Sequence, residues 1–292
     1  TYGYEVPEQR ALETLDRFFQ GPVNMLDTSR NYAMGESEKR IGKAIKKIGA
    51  WPKNFVLSTK VDRNMETLVL DKRRTRESIE ESLKTLSVDS VDILFLHDPE
   101  YVKDINDITK KDGAIDELFK LKEEGLAKAI GLAMGKIDIM FPMLKNWDFD
   151  VLINHNRFTL LNREANEMYD YAHNKNIAII NAAPYAGGVL AKGPDNFKKI
   201  TYQNVSEEKL EPARKIEKIC KNYNIDIGAA ALQFSIKDKR ITSTLCGVTS
   251  VQSIEKNLEW ASIEIPQECW DEILKLPFSS KDPESDRVYT PG

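Results

Sequence analysis

Short apolar runs alternate along this chain with longer segments in which apolar and polar positions are mixed. Within the runs, apolar residues follow one another with few interruptions, as in strands whose two faces are both covered. The runs predict seven strands, at residues 23–27, 55–60, 91–97, 128–133, 151–156, 177–182 and 243–248.

Between the strands, apolar positions recur three and four residues apart, the spacing of helices with one buried face. Predicted helices occupy residues 8–19, 36–48, 75–86, 114–124, 162–173 and 207–222, and another follows Ser250. Gly49 is expected to end the second helix as its C-terminal cap, and Ser250 to cap the start of the last one through its side chain.

The regular alternation of strands and helices predicts a parallel α/β sheet. A chain of 292 residues suits one (β/α)8 barrel, the TIM barrel, as a single domain over residues 1–292. Because a closed barrel needs eight strands, we expect the first strand to precede Thr1; an open seven-stranded, doubly wound sheet is the alternative. Two longer connections, at about 99–113 and 183–206, follow strands and are expected to lie on the ligand-binding face.

Composition narrows the class of protein. A net charge of −4 gives the chain no general attraction to nucleic acid or to an anionic membrane. No apolar stretch approaches the roughly 20 residues that a membrane span needs. The cysteines, Cys220, Cys246 and Cys269, have no paired spacing, so we expect reduced thiols, no metal site and a cytoplasmic location.

Polar residues end three of the predicted strands in the first third of the chain. Asp27, Lys60 and His97 each close an apolar run, and Tyr32 follows Asp27 by five positions. In a parallel barrel the C-terminal ends of the strands converge on one face, where catalytic groups collect. The pattern therefore predicts an acid, a phenol, an amine and an imidazole in one place.

These four side chains suit proton transfer. A buried ammonium such as that of Lys60 needs a partner, and Asp27 is the natural one. Lys60 beside Tyr32 is expected to stabilise the phenolate and to lower the pKa of the phenol from its reference value of about 10. His97 could orient a substrate oxygen. Each residue alone also has an ordinary structural explanation; the four together favour a proton-transfer site.

The same segments resemble those of a known family. Residues 25–38 resemble the D-T-A-x-x-Y-G-x-G-x-S-E signature of aldo-keto reductases, residues 58–60 its lysine strand and residues 92–97 its histidine strand. The resemblance extends over essentially the whole chain. It implies a (β/α)8 barrel that binds a nicotinamide cofactor, with Tyr32 as general acid/base, Lys60 and Asp27 as its tuning pair, and His97 as the substrate-orienting group.

The resemblance also implies cofactor contacts, some of them altered. The family's carboxamide-binding Ser-Asn pair falls on Ala133-Met134, and its stacking aromatic on Ala182, for which Tyr185 is the candidate replacement. Gly247 and Ser253 stand where many members place the Lys and Arg that bind the 2′-phosphate, which favours NAD over NADP, although Lys256 could compensate. The expected cofactor-binding residues are Asn154, Tyr185, Gly187, Val189, Gly247, Ser253 and Asn257.

Within the family, residues 154–158 and 181–184 look most like the L-fucose, D-threo-aldose and L-galactose dehydrogenases. That likeness implies oxidation of the anomeric carbon of an aldose to a lactone. His155 and Arg157 are expected to meet the sugar, with structural hydrogen bonds as the alternative. An NADPH-dependent aldehyde or ketone reductase and a non-catalytic nicotinamide-binding regulatory subunit are the competing hypotheses. The expected partner is a small sugar, and the expected state a monomer or weak homo-oligomer.

Overall fold

Seven parallel strands form the central sheet of the structure, a computed structural model that describes residues 5–285. The strands of this sheet are β1 (Met25–Asp27), β2 (Val56–Val61), β3 (Val91–His97), β4 (Ala127–Met134), β5 (Val151–His155), β6 (Ala178–Ala182) and β9 (Ser243–Leu245). Two further strands, β7 (Lys199–Ile200) and β8 (Gln203–Asn204), form a separate antiparallel pair. In the central sheet the strand order is β1-β2-β3-β4-β5-β6-β9.

Helices connect the strands and cover the outside of the sheet. They are α1 (Glu8–Phe18), α2 (Glu36–Ile48), α3 (Lys72–Leu86), α4 (Asn106–Thr109), α5 (Ala114–Glu123), α6 (Ile137–Asn146), α7 (Asn166–Asn174), α8 (Val189–Lys192), α9 (Glu207–Asn222), α10 (Ile227–Ile236), α11 (Val251–Ser262) and α12 (Gln267–Leu274). No helix within residues 5–285 has both the length and the apolar character that a membrane crossing requires.

The strand order confirms the predicted α/β barrel. Sheet neighbours follow one another in chain order, whereas a doubly wound sheet reverses its order at a switch point, so that alternative is wrong. All seven predicted strands are present, with ends that differ by up to three residues. The predicted first strand would precede Thr1 and lies outside the described residues.

Three substantial helices, α6, α10 and α12, were not predicted. In α10 the residues from Ile227 to Gln233 are all buried, so the helix lacks the polar face on which helix prediction depends. In α6, Pro142 interrupts the helical pattern, and apolar residues occupy several faces. Conversely, Asp71 caps α3 by accepting a hydrogen bond from the amide of Arg74, so this helix begins before the predicted residue 75.

Alternate strand positions divide the core into two layers. Phe95, Ala133, Val151, Ile153 and Ile180 pack together inside the barrel. Their chain neighbours, such as Leu94 and Leu152, pack outward in the larger cluster shared with the helices. Both faces of each strand are therefore covered, which is why the apolar runs in the sequence are nearly continuous.

Candidate active site

The inward-facing rows of the first three strands end in polar residues. Asp27 pairs in register with Ser58, Lys60 with Phe95, and His97 with Ala133. Because register partners in parallel strands point to the same side, these side chains continue the row of Phe95 and Ala133 inside the barrel. They meet at the C-terminal face of the barrel, where the strands end.

Lys60 lies at the centre of this group. Its Nζ donates to Asp27 Oδ2 and to the carbonyl of Thr28, both at 2.6 Å, and lies 4.6 Å from the centroid of the Tyr32 ring. The edge of the His97 ring meets the Tyr32 ring, with centroids 5.7 Å apart. The structure thus brings together the four side chains that the strand ends single out.

The ion pair between Lys60 and Asp27 is buried and well satisfied. Lys60 is 1% exposed. The second oxygen of Asp27, Oδ1, accepts a hydrogen bond from Ser58 Oγ at 2.6 Å. Removing one partner of such a pair leaves an uncompensated buried charge and typically costs about 3–5 kcal/mol. The ammonium is therefore fixed beside the phenol ring.

A strained turn holds Tyr32 in place. Tyr32 begins a short 3-10 turn in which Ala33 and Met34 have φ values of 51° and 54°, and Gly35 has 89°. Left-handed backbone at non-glycine residues costs on the order of 1–3 kcal/mol each and clusters at functional sites. This turn directs the tyrosine back over Lys60 instead of letting it follow the helix outward.

The pKa of Tyr32 is raised well above 10, which corrects the prediction that Lys60 lowers it. Burial is the main cause, and the carboxylates of Asp27, Asp98 and Asp62 add to it. The charge of Lys60 is balanced by Asp27, so it does not offset burial and the acidic surroundings. Tyr32 is consequently a neutral phenol, which is a proton donor.

Asp62 also belongs to this site, and sequence reasoning missed it. Its carboxylate is 1% exposed and contacts Nδ1 of His97. Burial lowers the pKa of His97, but the carboxylates of Asp98 and Asp62 outweigh that effect and leave the pKa raised. The strand register could have identified Asp62. It lies two positions beyond Lys60 and on the same side of the sheet, and since Lys60 pairs with Phe95, Asp62 lies beside His97.

A second group of predicted residues lies where the loop after β6 meets α11. Tyr185 Oη donates to Asn257 Oδ1, and Asn257 Nδ2 donates to the carbonyl of Ser253 at 2.7 Å. The Tyr185 ring packs edge-on against Trp260, with centroids 5.7 Å apart. Tyr185 thus connects the loop to α11, and its placement does not support the hypothesis that it replaces the stacking aromatic.

The glycines of this loop permit a tight backbone path. Gly187 and Gly188 have φ values of 77° and 120°, and a Cβ at Gly187 would lie 2.8 Å from the backbone nitrogen of Tyr202. Only glycine fits there. Val189 is buried and starts α8 directly after them. The predicted pyrophosphate loop is therefore folded against residues 201–202 and held close to the barrel.

At the start of α11, Ser250 caps the helix as predicted. Its side chain accepts a hydrogen bond from the amide of Ser253, and the Ser253 hydroxyl accepts from the amide of Ser250 at 3.1 Å. Gly247 is exposed. Lys256 lies 2.8 Å from Asp226 and 3.2 Å from Glu259, so two carboxylates already balance its charge.

Asn154 lies away from the barrel interior. Its Nδ2 donates to the carbonyls of Met134 and Gly135, both at 2.9 Å, and lies 3.7 Å from the sulfur of Met140 in α6. The side chain joins the ends of β4 and β5 in the layer beneath the helix. This placement does not support the predicted cofactor contact.

His155 and Arg157 lie against the same carboxylate, that of Glu284, but differ in exposure. His155 ends β5 on the inward side, and its side chain is 27% exposed. Arg157 is buried and forms ion pairs with Asp282 and Glu284, which hold the segment after α12 against β5. Arg157 therefore has the structural role that was the alternative to sugar binding. Nδ1 of His155 also lies 3.3 Å from Oε2 of Glu284, although its ring stays partly exposed.

The described residues include no group of three or more His, Cys, Asp or Glu side chains suited to hold a metal ion. Several buried polar atoms in the part of the chain that the structure describes have no hydrogen-bond partner, and Oδ1 of Asn156, near the C-terminal face, is among them. Its Nδ2 lies 3.4 Å from Nδ1 of His155. A bound molecule with a hydrogen-bond donor would satisfy that oxygen.

Fold and site together define a parallel α/β barrel with a buried Lys–Asp pair, a phenol and an imidazole at its C-terminal face. The chain belongs to the aldo/keto reductase family, whose model matches residues 1–276, and is thus an oxidoreductase of that family.

Comparisons with individual proteins agree. L-galactose dehydrogenase of Arabidopsis thaliana is 31% identical over 276 residues, 92% of this chain and 84% of that protein. D-threo-aldose 1-dehydrogenase of a Pseudomonas species is 28% identical over 295 residues, 92% of this chain and 88% of that protein. An aldo-keto reductase from Bacillus halodurans, solved in its holo form, shares the fold with a TM-score of 0.78 at 20% identity, covering 97% of this chain and 92% of that one.

Proposed function

We propose that this protein is an NAD-dependent aldose 1-dehydrogenase, which oxidises the anomeric carbon of a pyranose to a lactone. The observation that carries the proposal is the cluster of Tyr32, Lys60, Asp27 and His97 at the ends of β1 to β3. The names of the two relatives that cover most of the chain, an L-galactose and a D-threo-aldose dehydrogenase, support an aldose as the substrate.

The proposed cofactor site combines the loop after β6 with the start of α11. Gly187, Val189, Gly247, Ser253 and Asn257 are the residues proposed to hold the nicotinamide cofactor, which when bound accepts the hydride that leaves C1 of the sugar. The link between Tyr185 and Asn257 supports this site, because it holds the two segments together. The free oxygen of Asn156 offers an acceptor for the carboxamide or for a sugar hydroxyl.

In the proposed reaction the C1 hydroxyl loses its proton to the phenolate of Tyr32 as the C1 hydride leaves, and the C1–O bond becomes a carbonyl. Lys60 stabilises the phenolate, and Asp27 keeps Lys60 in place. His97 orients the C1 oxygen. Because the pKa of Tyr32 is raised, little phenolate is present at neutral pH, and oxidation is expected to accelerate as the pH rises toward 10.

NAD is the proposed cofactor because, within residues 5–285, no free cation marks the expected site of a 2′-phosphate. Gly247 and Ser253 carry no charge, and Lys256 is already paired with Asp226 and Glu259. An arginine or lysine that binds a phosphate must have its charge available. NADP remains the alternative, to be tested together with NAD.

One observation favours the competing function of a carbonyl reductase. A tyrosine with a raised pKa is a proton donor in its ground state, which is the form needed to reduce an aldehyde or ketone. The reductase would use the same four side chains in the opposite direction. The two functions therefore differ in substrate and cofactor, not in the proton-transfer group.

A spectrophotometric screen at mildly alkaline pH tests the proposal, with NAD or NADP against a panel that includes L-fucose, L-galactose and D-threo-aldoses. We expect one or more aldoses to produce NADH. Consumption of NADPH by simple aldehydes, without turnover of any aldose, would support the reductase instead. Cofactor binding without turnover of any substrate would favour a regulatory subunit.

A further inference from the structure

Asp62 occupies a fixed position at the back of His97. Lys60 pairs in register with Phe95 and Val61 with Leu96, so the next inward position after Lys60, residue 62, lies beside His97. The chain reaches this position directly after β2 ends at Val61. The register of the sheet, and not the conformation of a flexible loop, therefore fixes the position of Asp62.

Two donors and a backbone hydrogen bond hold the Asp62 carboxylate in one orientation. Its Oδ2 accepts hydrogen bonds from Ser29 Oγ at 2.6 Å and from the backbone amide of Asn31 at 3.2 Å. Its own backbone amide donates to Ser78 Oγ at 2.9 Å. The other oxygen, Oδ1, is left to face Nδ1 of His97.

A carboxylate can only accept hydrogen bonds, so a hydrogen bond to Asp62 requires the proton on Nδ1 of His97. Burial raises the pKa of Asp62, but His97 and the hydroxyl of Ser29 outweigh that effect and leave the pKa lowered, which keeps Asp62 ionised. In the neutral ring the other nitrogen, Nε2, then has a free lone pair.

We propose that Asp62 is a positioning residue that holds His97 in the Nδ1–H tautomer and so makes Nε2 the nitrogen that meets the substrate oxygen. The inference rests on the proposed function, in which His97 orients the C1 oxygen. Because the single proton of the C1 hydroxyl goes to Tyr32, His97 meets the C1 oxygen as a donor, through the Nε2–H that its protonated ring carries. Protonated His97 donates from the same atom to the carbonyl of the lactone.

Other charged groups face the same ring. Asp98 Oδ2 lies 3.8 Å from Nε2, Lys60 lies on the neighbouring strand, and the Tyr32 ring packs against the imidazole. Asp98 favours the protonated ring and Lys60 disfavours it. Nδ1 contacts Oδ1 of Asp62 and lies 3.4 Å from Oγ of Ser29, whose own proton goes to Asp62. Asp62 is the acceptor at Nδ1 and therefore controls the tautomer, while all of the charges contribute to the pKa.

Nitrogen-15 NMR of histidine-labelled protein tests the tautomer directly. The chain has only three histidines, and a His97→Gln variant assigns the signal of His97. We expect the neutral ring of His97 in the unaltered protein to carry its proton on Nδ1. A proton on Nε2 would overturn the proposal, and this measurement needs neither substrate nor a variant at Asp62.

An Asp62→Asn variant tests the cause. Asparagine keeps the shape but loses the charge, so we expect the pKa of His97 to fall by about one unit or more and the share of the Nδ1–H tautomer to decrease. Asp92→Asn is the matched control, because Asp92 also bridges β2 and β3, accepting from the amide of Leu57 at 2.8 Å, but lies at the opposite end of β3. If Asp62→Asn leaves both the pKa and the tautomer of His97 unchanged, the proposal fails.

Kinetics with an active substrate add a second readout. In Asp62→Asn the limb of the pH profile of kcat/KM that reports the His97 pKa is expected to shift to lower pH together with that pKa, whereas Asp92→Asn keeps the original profile. A loss of protein stability alone would lower kcat/KM by the same factor at every pH and would not shift the pH profile. Because the NMR experiments use the protein without substrate, they stand even if the protein proves not to oxidise aldoses.

Discussion

At the scale of single residues, the site depends on the balance between one buried ammonium and several carboxylates. Asp27 neutralises Lys60, and Asp62 and Asp98 lie close enough to raise the pKa of Tyr32. The phenol is therefore protonated by default, and Lys60 serves to stabilise the phenolate once the proton has left. This arrangement suits a proton donor better than a permanently ionised base.

A Tyr32→Phe variant is expected to lower kcat by about 10²–10⁴-fold, because it removes the proton-transferring hydroxyl and keeps the ring. Binding of the cofactor, measured by fluorescence titration, should stay near normal. Tyr223→Phe, which removes a hydroxyl bonded to Glu272 between α9 and α12, is the control and should retain full activity. Turnover of Tyr32→Phe within about tenfold of the unaltered protein would contradict the assigned role of Tyr32.

At the scale of elements, the start of α11 combines a structural and a proposed binding function. Ser253 completes the cap with Ser250, and its carbonyl accepts a hydrogen bond from the side chain of Asn257. Asn257 in turn accepts a hydrogen bond from the hydroxyl of Tyr185. The uncharged residue at position 253 is therefore part of a network that joins the helix to the loop after β6. The same residue leaves the helix start without a cation for a 2′-phosphate.

We expect Ser253→Arg to raise the ratio of NADP to NAD affinity by about tenfold or more, because a guanidinium binds a phosphate through charge-assisted hydrogen bonds. Some stability is lost with the Ser253 hydroxyl, typically about 1 kcal/mol for a helix cap. Gln252→Arg adds the same charge at the neighbouring exposed position and is the control. Equal cofactor ratios in both variants would show that position 253 does not face the adenosine end.

At the scale of the whole molecule, partly buried carboxyl groups accumulate around the C-terminal face. Burial, with the charge of Asp98, raises the pKa of Glu100 to about 7, and burial, with the charge of Asp282, raises that of Glu164 to about 7. Glu100 accepts from the backbone amides of Gly135 and Lys136, so it ties the end of β4 to the connection after β3. These groups couple the stability of the barrel to pH.

Between about pH 4.5 and 7 the folded chain keeps protons on Glu100 and Glu164 that the unfolded chain loses, so their contribution to the free energy of unfolding falls as the pH rises. Replacing both by Gln should remove that decline. Relative to the unaltered protein, the double variant should gain on the order of 1–3 kcal/mol between pH 5 and pH 7.5 in urea titrations. Glu208→Gln, at an exposed site on α9, is the control, and a constant difference across this range would contradict the prediction.

Much of the fold could be predicted from the sequence because each strand and most helices carry their own pattern. The strands are covered on both faces and read as apolar runs, and α2 and α3 have a clear buried side. The pattern is lost where a helix is buried all round, as in α10, or interrupted by proline, as in α6. Asp62 was missed because it follows an apolar strand without any motif of its own.

The sequence by itself determined the barrel, the family and the four side chains at the ends of the first strands, because strand ends and motifs are local features. Only the tertiary structure decided the partners of those residues: the carboxylate behind His97, the raised pKa of Tyr32, and the pairing of Arg157 with Glu284, 127 positions away. Such contacts depend on strand register and on chain segments far apart in sequence, and a local sequence pattern gives no information on either.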